Sequence, residues 1–454
     1  MARLRGRTSL IALLSAGWVA SAGADAVTDW NAIAVETIIT AAPPTSQIDL
    51  GLVQAAVHDA VQAIDGRFEP YHVKVPGASG RREAAVAAAA HDVLVGFYPS
   101  QKDALDATYG DYLNSHGLNG DPGLAVGQAV AVGILPLRRV PPDPLPPPFL
   151  GGDEPGEWRP TDSLLVGGVG PNAGLPGPPF GPPPPFAPGS TPWVATLQPL
   201  TLKSPHQFRA RPPLPLHSGK YRREFDEVKT LGSRLDSGRT PEQTDLGYFF
   251  AGNFLRIWWG PLRAIADQYL DDLGDRARLL ALAGLAGGDA VITAWDTKYH
   301  YTFWRPMTAI REGDHDGNPK TIGDPTWEPL INTPPYPDHT SGANNVNAAY
   351  LHSVRLLLGT DRIAFVTSTN FPLAIQKERQ YERLSDMERD VVNVRVYQGI
   401  HFRRADVLAR RQGHEVARWV FRHYLRPVDE CDDDDQIDDG DDDDYGDDEP
   451  HYRH

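Results

Sequence analysis

Cysteine is almost missing from this chain of 454 residues. Cys431 stands alone, so no disulfide can form within the chain. Strand patterns, alternating apolar and polar over four to eight residues, are nearly absent as well, which argues against a sheet-based core. Outside the N-terminus no segment reaches the roughly 18 uninterrupted apolar residues of a membrane-spanning helix. Residues 279–295 come closest and contain Asp289. A basic field is lacking too. The formal charge is −16, but the 15 carboxylates of residues 429–449, set against Arg453, leave the tail at −14 and everything before it at −2. Such a body offers nothing for nucleic acid to neutralise.

What is present divides the chain into three parts. Residues 1–26 carry Arg3, Arg5 and Arg7, a short apolar run at 10–14, and small residues up to Ala26. That is the pattern of a secretory leader with cleavage before Val27, implying a secreted or periplasmic protein with no membrane span after processing. Residues 27–428 are expected to form a single domain. Residues 429–454 form a like-charge, low-complexity tail that cannot bury enough surface to fold, and a disordered acidic tail is expected. Loose calcium binding by that tail is the alternative, without the spacing of an EF-hand.

Within the body, helical periodicity is expected over 30–40, 48–64, 84–97, 101–116, 220–231, 240–273, 276–298, 341–358, 385–396 and 402–425. His58 and His91, inside alanine-rich helices, read as core histidines. Residues 140–215 break this pattern with runs such as PPDPLPPPF and PGPPFGPPPPFAPG, which exclude regular helix. Phe149, Trp158, Phe180, Phe186, Trp193 and Phe208 are interleaved there. Large rings suit a crossover strapped onto a helical body better than a free linker between two domains. The expected fold class is all-α: helical bundles with one long Pro/Gly-rich crossover.

Three short stretches carry the chemistry. In WDTKYHYTFWRPMTAIR (295–311), Lys298 and Arg305 are two cations separated by six residues, with Pro306 next. If Lys298 closes one helix, the break at Pro306 lets Arg305 turn back toward the same cavity. In TPPYPDHTSGANN (333–345), Ser341 and Gly342 supply a hydroxyl and an unhindered N–H where a new helix begins, a place suited to an anion. In NVRVYQGIHFRRAD (393–406), Arg395 and His401 add a third cation and an imidazole. Singly, each has a plain reading: solvated helix ends, a surface ion pair, an N-cap serine, a packed histidine. Together and in order they describe an oxyanion cradle.

This order of motifs resembles the signature of the vanadium-dependent haloperoxidases and type 2 phosphatidic acid phosphatases, in particular their soluble, secreted haloperoxidase-like branch. The resemblance spans about residues 27–427 and implies a mainly helical fold with the site between two bundles. It departs at two places. Val394 stands where the family has serine, and Ala343 stands where Pro-Ser-Gly-His has its acid/base histidine. By resemblance, vanadate, or phosphate as its isostere, would be the cofactor. His401 would be its single covalent ligand, with Lys298, Arg305, Arg395, Ser341 and Gly342 around its oxygens. Lys298 would polarise bound hydrogen peroxide for attack by halide, passing oxidant to a small organic acceptor. Trp295 and Tyr336 occupy the places of halide-pocket aromatics. His339 is the first candidate to replace the missing histidine, with Asp338 and His300 as alternatives. The scarcity of methionine, Met307 and Met387 after processing, fits a protein that handles peroxide. A soluble acid phosphatase working through a phosphohistidine, and a degenerate oxyanion binder, are the competing readings. The oligomeric state is left open.

Overall fold

A computed structural model describes residues 25–42, 45–161 and 188–428. Among these are thirteen α-helices and one short antiparallel strand pair, β1 (Phe365–Ser368) and β2 (Glu378–Tyr381). The all-α expectation holds. The acidic tail, most of the leader, and Phe180 and Phe186 of the crossover lie outside the described residues.

The first half comprises α1 (Ala26–Ala41), α2 (Ser46–Asp65), α3 (Arg82–Phe97), α4 (Lys102–His116) and α5 (Gly123–Ile134). Asp25 caps α1 by accepting from the N–H groups of Val27 and Thr28, and it pairs with Arg276 at 3.0 Å. Ala26 is already buried as the first residue of that helix. Cleavage before Val27 would therefore remove a helix cap worth about 1 kcal/mol.

After the crossover come α6 (Gly219–Gly232), α7 (Pro241–Phe249), α8 (Phe254–Tyr269) and α9 (Leu273–Tyr301). The continuous helix expected over 240–273 is thus broken. Asn253 caps α8 through the Leu255 N–H, and Gly252 sits so close to Thr369 that a Cβ would lie 2.3 Å from its hydroxyl. The apolar pattern of Phe249, Phe250 and Phe254 runs through the break and hides it.

Helix α9 is the axis of the molecule. It is the one described helix long and apolar enough to cross a membrane, yet 94% of its apolar window is buried inside the protein, as befits a core helix. It packs against α2 in the first half and, in the second, against α11 (Gly342–Leu358) and α13 (Arg403–His423). The α2 crossing is close because neither partner has a side chain there: a Cβ on Gly51 would meet the Gly284 carbonyl at 2.5 Å. Helices α10 (Pro306–Arg311) and α12 (Leu384–Tyr397) complete the set.

Buried carboxylates fasten the irregular segments to this frame. Asp289 on α9 accepts the N–H groups of Leu200, Thr201 and Leu202 at 2.6, 2.8 and 3.1 Å. Asp59 on α2 does the same for Tyr71, His72 and Val73. Loop N–H groups taken out of water need such acceptors. The crossover is accordingly strapped down along its described limbs. Trp158 and Trp193 are buried, the Trp158 N–H donates to the Thr302 carbonyl at 2.7 Å, and Phe208 packs edge-on against Trp419.

Candidate functional site

The site gathers at helix ends. Lys298 lies in the last turn of α9, which stops at Thr302 in a left-handed conformation. Arg305 is extended just before Pro306, the first residue of α10. Both side chains are fully buried. Lys298 Nζ donates to the carbonyls of Pro337 and Asp338 at 2.7 and 2.9 Å. Arg305 donates through Nε to the Tyr336 carbonyl at 2.8 Å and through Nη1 to the Ile400 carbonyl at 2.7 Å. Nη1 also lies 3.1 Å from Nε2 and 3.4 Å from Nδ1 of His401. Arg395, in the last turn of α12, donates to Gln398 at 2.7 Å, and Gln398 in turn donates to the Gly247 carbonyl.

Ser341 takes the N-cap position of α11, but its side chain makes no capping bond. Its N–H donates to the Ala405 carbonyl, and its Oγ accepts from Asn344 at 3.3 Å. Asn344 also donates to Asp406 at 2.9 Å. Beneath the site Gln412 of α13 accepts from Thr340 and Asn345 and donates to Thr297 and the Phe208 carbonyl, joining α9, α11, α13 and the crossover.

Tyr336 covers the cations, its ring centroid 5.1 Å from Lys298 Nζ and 4.9 Å from the Arg305 guanidinium carbon. Trp295 packs against Tyr336 at 5.1 Å between centroids, and its indole N–H donates to Thr191 of the crossover at 3.0 Å. Gly342 faces this indole, which a Cβ would approach to 3.2 Å.

Of the three candidates for the missing histidine, two turn elsewhere. His339 is buried, but its Nε2 is bonded to the Arg211 carbonyl at 2.8 Å and its ring packs on Tyr301. His300 is exposed against Tyr301. Asp338 enters the site: its carboxylate lies 2.8 Å from His401 Nδ1 and 3.9 Å from Arg305. Asp406, quoted within the third motif but given no role there, is a second buried carboxylate beside Ser341 and Arg395. Its signal was a carboxylate in the first turn of a helix directly after the histidine.

Burial dominates the electrostatics. It pushes His401 well below its ordinary range, reinforced by Arg305, Lys298 and Arg395, so the imidazole is neutral. It lowers Lys298 strongly, with Arg305 adding to the effect. Arg395 is brought down to about 10 and stays charged at neutral pH. Burial raises Asp338 to about 7 against the pull of Arg305 and Lys298. Two guanidinium cations, and Lys298 whose charge burial and Arg305 disfavour, therefore face at most two carboxylates and a neutral ring.

Several of their N–H groups are unspent. Arg305 Nη2 and both Nε and Nη2 of Arg395 have no acceptor among the described residues. Buried guanidinium donors without acceptors are costly unless an anion takes them. The donor set, with a neutral imidazole at its side, fits a tetrahedral oxyanion such as vanadate or phosphate.

Comparison with known proteins agrees. Residues 278–430, which hold all three motifs, match the family model described as the vanadium chloroperoxidase second helical-bundle domain. The chain is 27% identical over 385 residues to a vanadium chloroperoxidase of Curvularia inaequalis, an alignment covering 69% of this chain. It spans 61% of that relative's length. A bacterial vanadium-dependent iodoperoxidase has the same fold at a TM-score of 0.69 and 22% identity, covering 88% of this chain and 97% of its own. A bacterial vanadium-dependent chloroperoxidase in its holo form follows at 0.64 and 18%, covering 87% and 91%. Residues 278–430 are thus similar to the second helical bundle of the vanadium chloroperoxidases, and the whole described chain has the fold of the vanadium haloperoxidases.

Proposed function

We propose that the chain is a secreted or periplasmic, vanadate-dependent haloperoxidase-like enzyme that oxidises halide with hydrogen peroxide. The observation that carries this reading is the set of unspent guanidinium donors on Arg305 and Arg395 beside a neutral, buried His401. His401 would hold the vanadate through a ring nitrogen, and Lys298, Arg305, Arg395, Ser341 and the Gly342 N–H would surround its oxygens. Bound vanadate supplies activation of peroxide, which no side chain offers. The protein's share is charge compensation and orientation. Tyr336 and Trp295 would wall the halide approach, their positions fixed by Thr191 and by the missing Cβ of Gly342. A small organic acceptor of the hypohalous product completes the scheme. Export fits a leader cut after Ala24, which retains Asp25 as the cap of α1.

Halide oxidation by peroxide takes up a proton for each hypohalous acid and water formed. Ala343 provides none, and His339 has its Nε2 committed to Arg211. Asp338, raised to about 7 beside His401, is the remaining candidate donor, and turnover of the native chain is expected to be slower than with an imidazole at position 343. A second reading has support from the Asp338–His401 contact: a carboxylate against Nδ1 favours a nucleophilic Nε2 and hence an acid phosphatase working through phosphohistidine. Measuring bound vanadium together with halide oxidation and phosphate-ester hydrolysis separates the two. The peroxidase reading predicts vanadium-dependent halide oxidation that rises in Ala343→His by about 10²-fold or more. Hydrolysis without any halide oxidation, in native and variant protein alike, would favour the phosphatase.

A further inference from the structure

One face of α13 carries cations that the described chain leaves unmatched. Arg411, Arg418 and Arg422 recur at intervals of seven and four, so they form a row about 16 Å long on a single side of the helix. Arg411 and Arg422 are exposed and Arg418 is half-buried. Lys203 of the crossover flanks the row, its Nζ 5.2 Å from the ring centroid of Trp419. Among the described residues none of these four side chains forms an ion pair, and Glu415 is the only carboxylate on that face of the helix. Several other exposed arginines are matched: Arg67 meets Asp275 at 3.0 Å, Arg222 meets Asp226 at 2.7 Å and Arg389 meets Asp386 at 2.9 Å. A cation near a helix C-terminus offsets the macrodipole, which accounts for Arg422 in the last turn. It does not account for Arg411, about three turns earlier, or for Lys203.

The chain that follows is of opposite sign. Helix α13 ends at His423, and the described chain continues to Val428, whose N–H donates to the Arg67 carbonyl at 3.0 Å. Residues 429–449 then carry 15 carboxylates and no basic residue. Six of those carboxylates fall within residues 429–435. Val428 lies at most about 20 Å of chain from Arg422, and residues 428–440 span up to about 40 Å when extended, more than the length of the row. Reach and charge both match. Each exposed pair is weak and screened by salt. A tethered segment, however, meets the row at an effective concentration of the order of millimolar, and several pairs form together.

We propose that the basic row of α13 is a docking surface for the acidic segment 429–449 of the same chain. The contact rests on charge, since Ile437 and Tyr445 are the only large apolar residues the segment offers. The row begins about 12 Å along α13 from Arg403, away from the oxyanion site, and does not depend on the proposed function.

Double electron–electron resonance on the full chain tests this. Nitroxides are placed at Arg410→Cys, off the row, and at Gly440→Cys in a Cys431→Ser background, which leaves no other cysteine to take label. EDTA and an excess of unlabelled chain are present, so docking onto a second copy reads as a long distance. At low ionic strength the expected distance distribution is short and narrow. In roughly 1 M salt, where the Debye length is about 3 Å, its mean is expected to lengthen by about 10 Å or more. The sign is diagnostic, because an undocked acidic chain extends by self-repulsion and contracts as salt is added. Arg411→Gln/Arg418→Gln/Arg422→Gln is expected to give the long, broad distribution already at low salt. The same loss of charge elsewhere, in Arg81→Gln/Lys102→Gln/Arg222→Gln, is expected to leave it short. A distance that is long at low salt, or that shortens as salt is added, overturns the proposal without any variant of the row. A short distance that survives removal of the three α13 arginines, or that the control substitutions abolish equally, overturns it as well.

Discussion

Helices α2 and α3 bury charge of a different kind from the ends of α9, α11, α12 and α13. In the first half the buried ionisable groups are two carboxylates and two histidines, Asp49, Asp59, His58 and His91, and they serve the fold. Asp59 holds the N–H groups of three consecutive loop residues, and Asp49 takes the Tyr98 hydroxyl and Arg138. In the second half they include Lys298, Arg305 and Arg395, and the two guanidiniums keep N–H groups with no acceptor among the described residues. A buried carboxylate that meets loop N–H groups completes the structure. A single spare guanidinium donor does not mark a site, since Arg138 Nε in the first half also lacks an acceptor; Arg305 and Arg395 differ in bringing three such donors to the surroundings of one neutral imidazole. The two regions share α9, yet one end of it is a structural crossing and the other is the floor of a binding site.

If that contrast is right, each region fails differently. The largest effect is expected from His401→Ala: orthovanadate retention falls by more than about 100-fold, the scale of a lost covalent ligand with its oriented shell, while the melting temperature barely moves. Equilibrium dialysis checks it, and unchanged stoichiometry would remove His401 from the site.

His58 sharpens the comparison from the other side. It is buried and neutral in α2, donating through Nε2 to the Glu69 carbonyl, and burial lowers its pKa from 6.5 to about 4. The unfolded chain therefore binds a proton more readily than the folded one. The stability this contributes is complete above about pH 6.5 and is lost as pH falls through about 4, up to about 3 kcal/mol. Denaturant unfolding of His58→Gln across this window should show a flatter acid limb, with oxyanion affinity at neutral pH untouched.

Gly51→Ala should cost about 1–3 kcal/mol of stability, because its methyl group meets the Gly284 carbonyl and α2 must move off α9. Lys298 lies 14 residues further along α9, about 20 Å away. Oxyanion affinity measured below the melting transition should be unchanged; a large drop would mean that the two ends of α9 are coupled.

The helices were legible because their apolar periodicity is local, and the crossover because proline excludes helix whatever surrounds it. Lys298, Arg305 and Pro306 were legible as a cluster since a helix end and a proline set their geometry within a few residues. What could not be read lies in tertiary proximity. His339 and Asp338 are neighbours in sequence, but successive side chains leave the backbone in different directions. One ring is taken by Arg211, the other residue's carboxylate by His401. Gln412 looks like any polar position on α13 and is a four-way junction under the site. The break between α7 and α8 was hidden by phenylalanines that keep the apolar pattern going across it.

The central claim is that spare donors on buried cations, beside a neutral histidine, make one oxyanion site. Calorimetric titration of the metal-free chain with orthovanadate, repeated in the presence of phosphate, tests this most directly. The account predicts a single saturable site per chain, displaced competitively by phosphate and weakened strongly in Arg395→Ala. Binding that does not saturate, or that persists undiminished in Arg395→Ala, would contradict it.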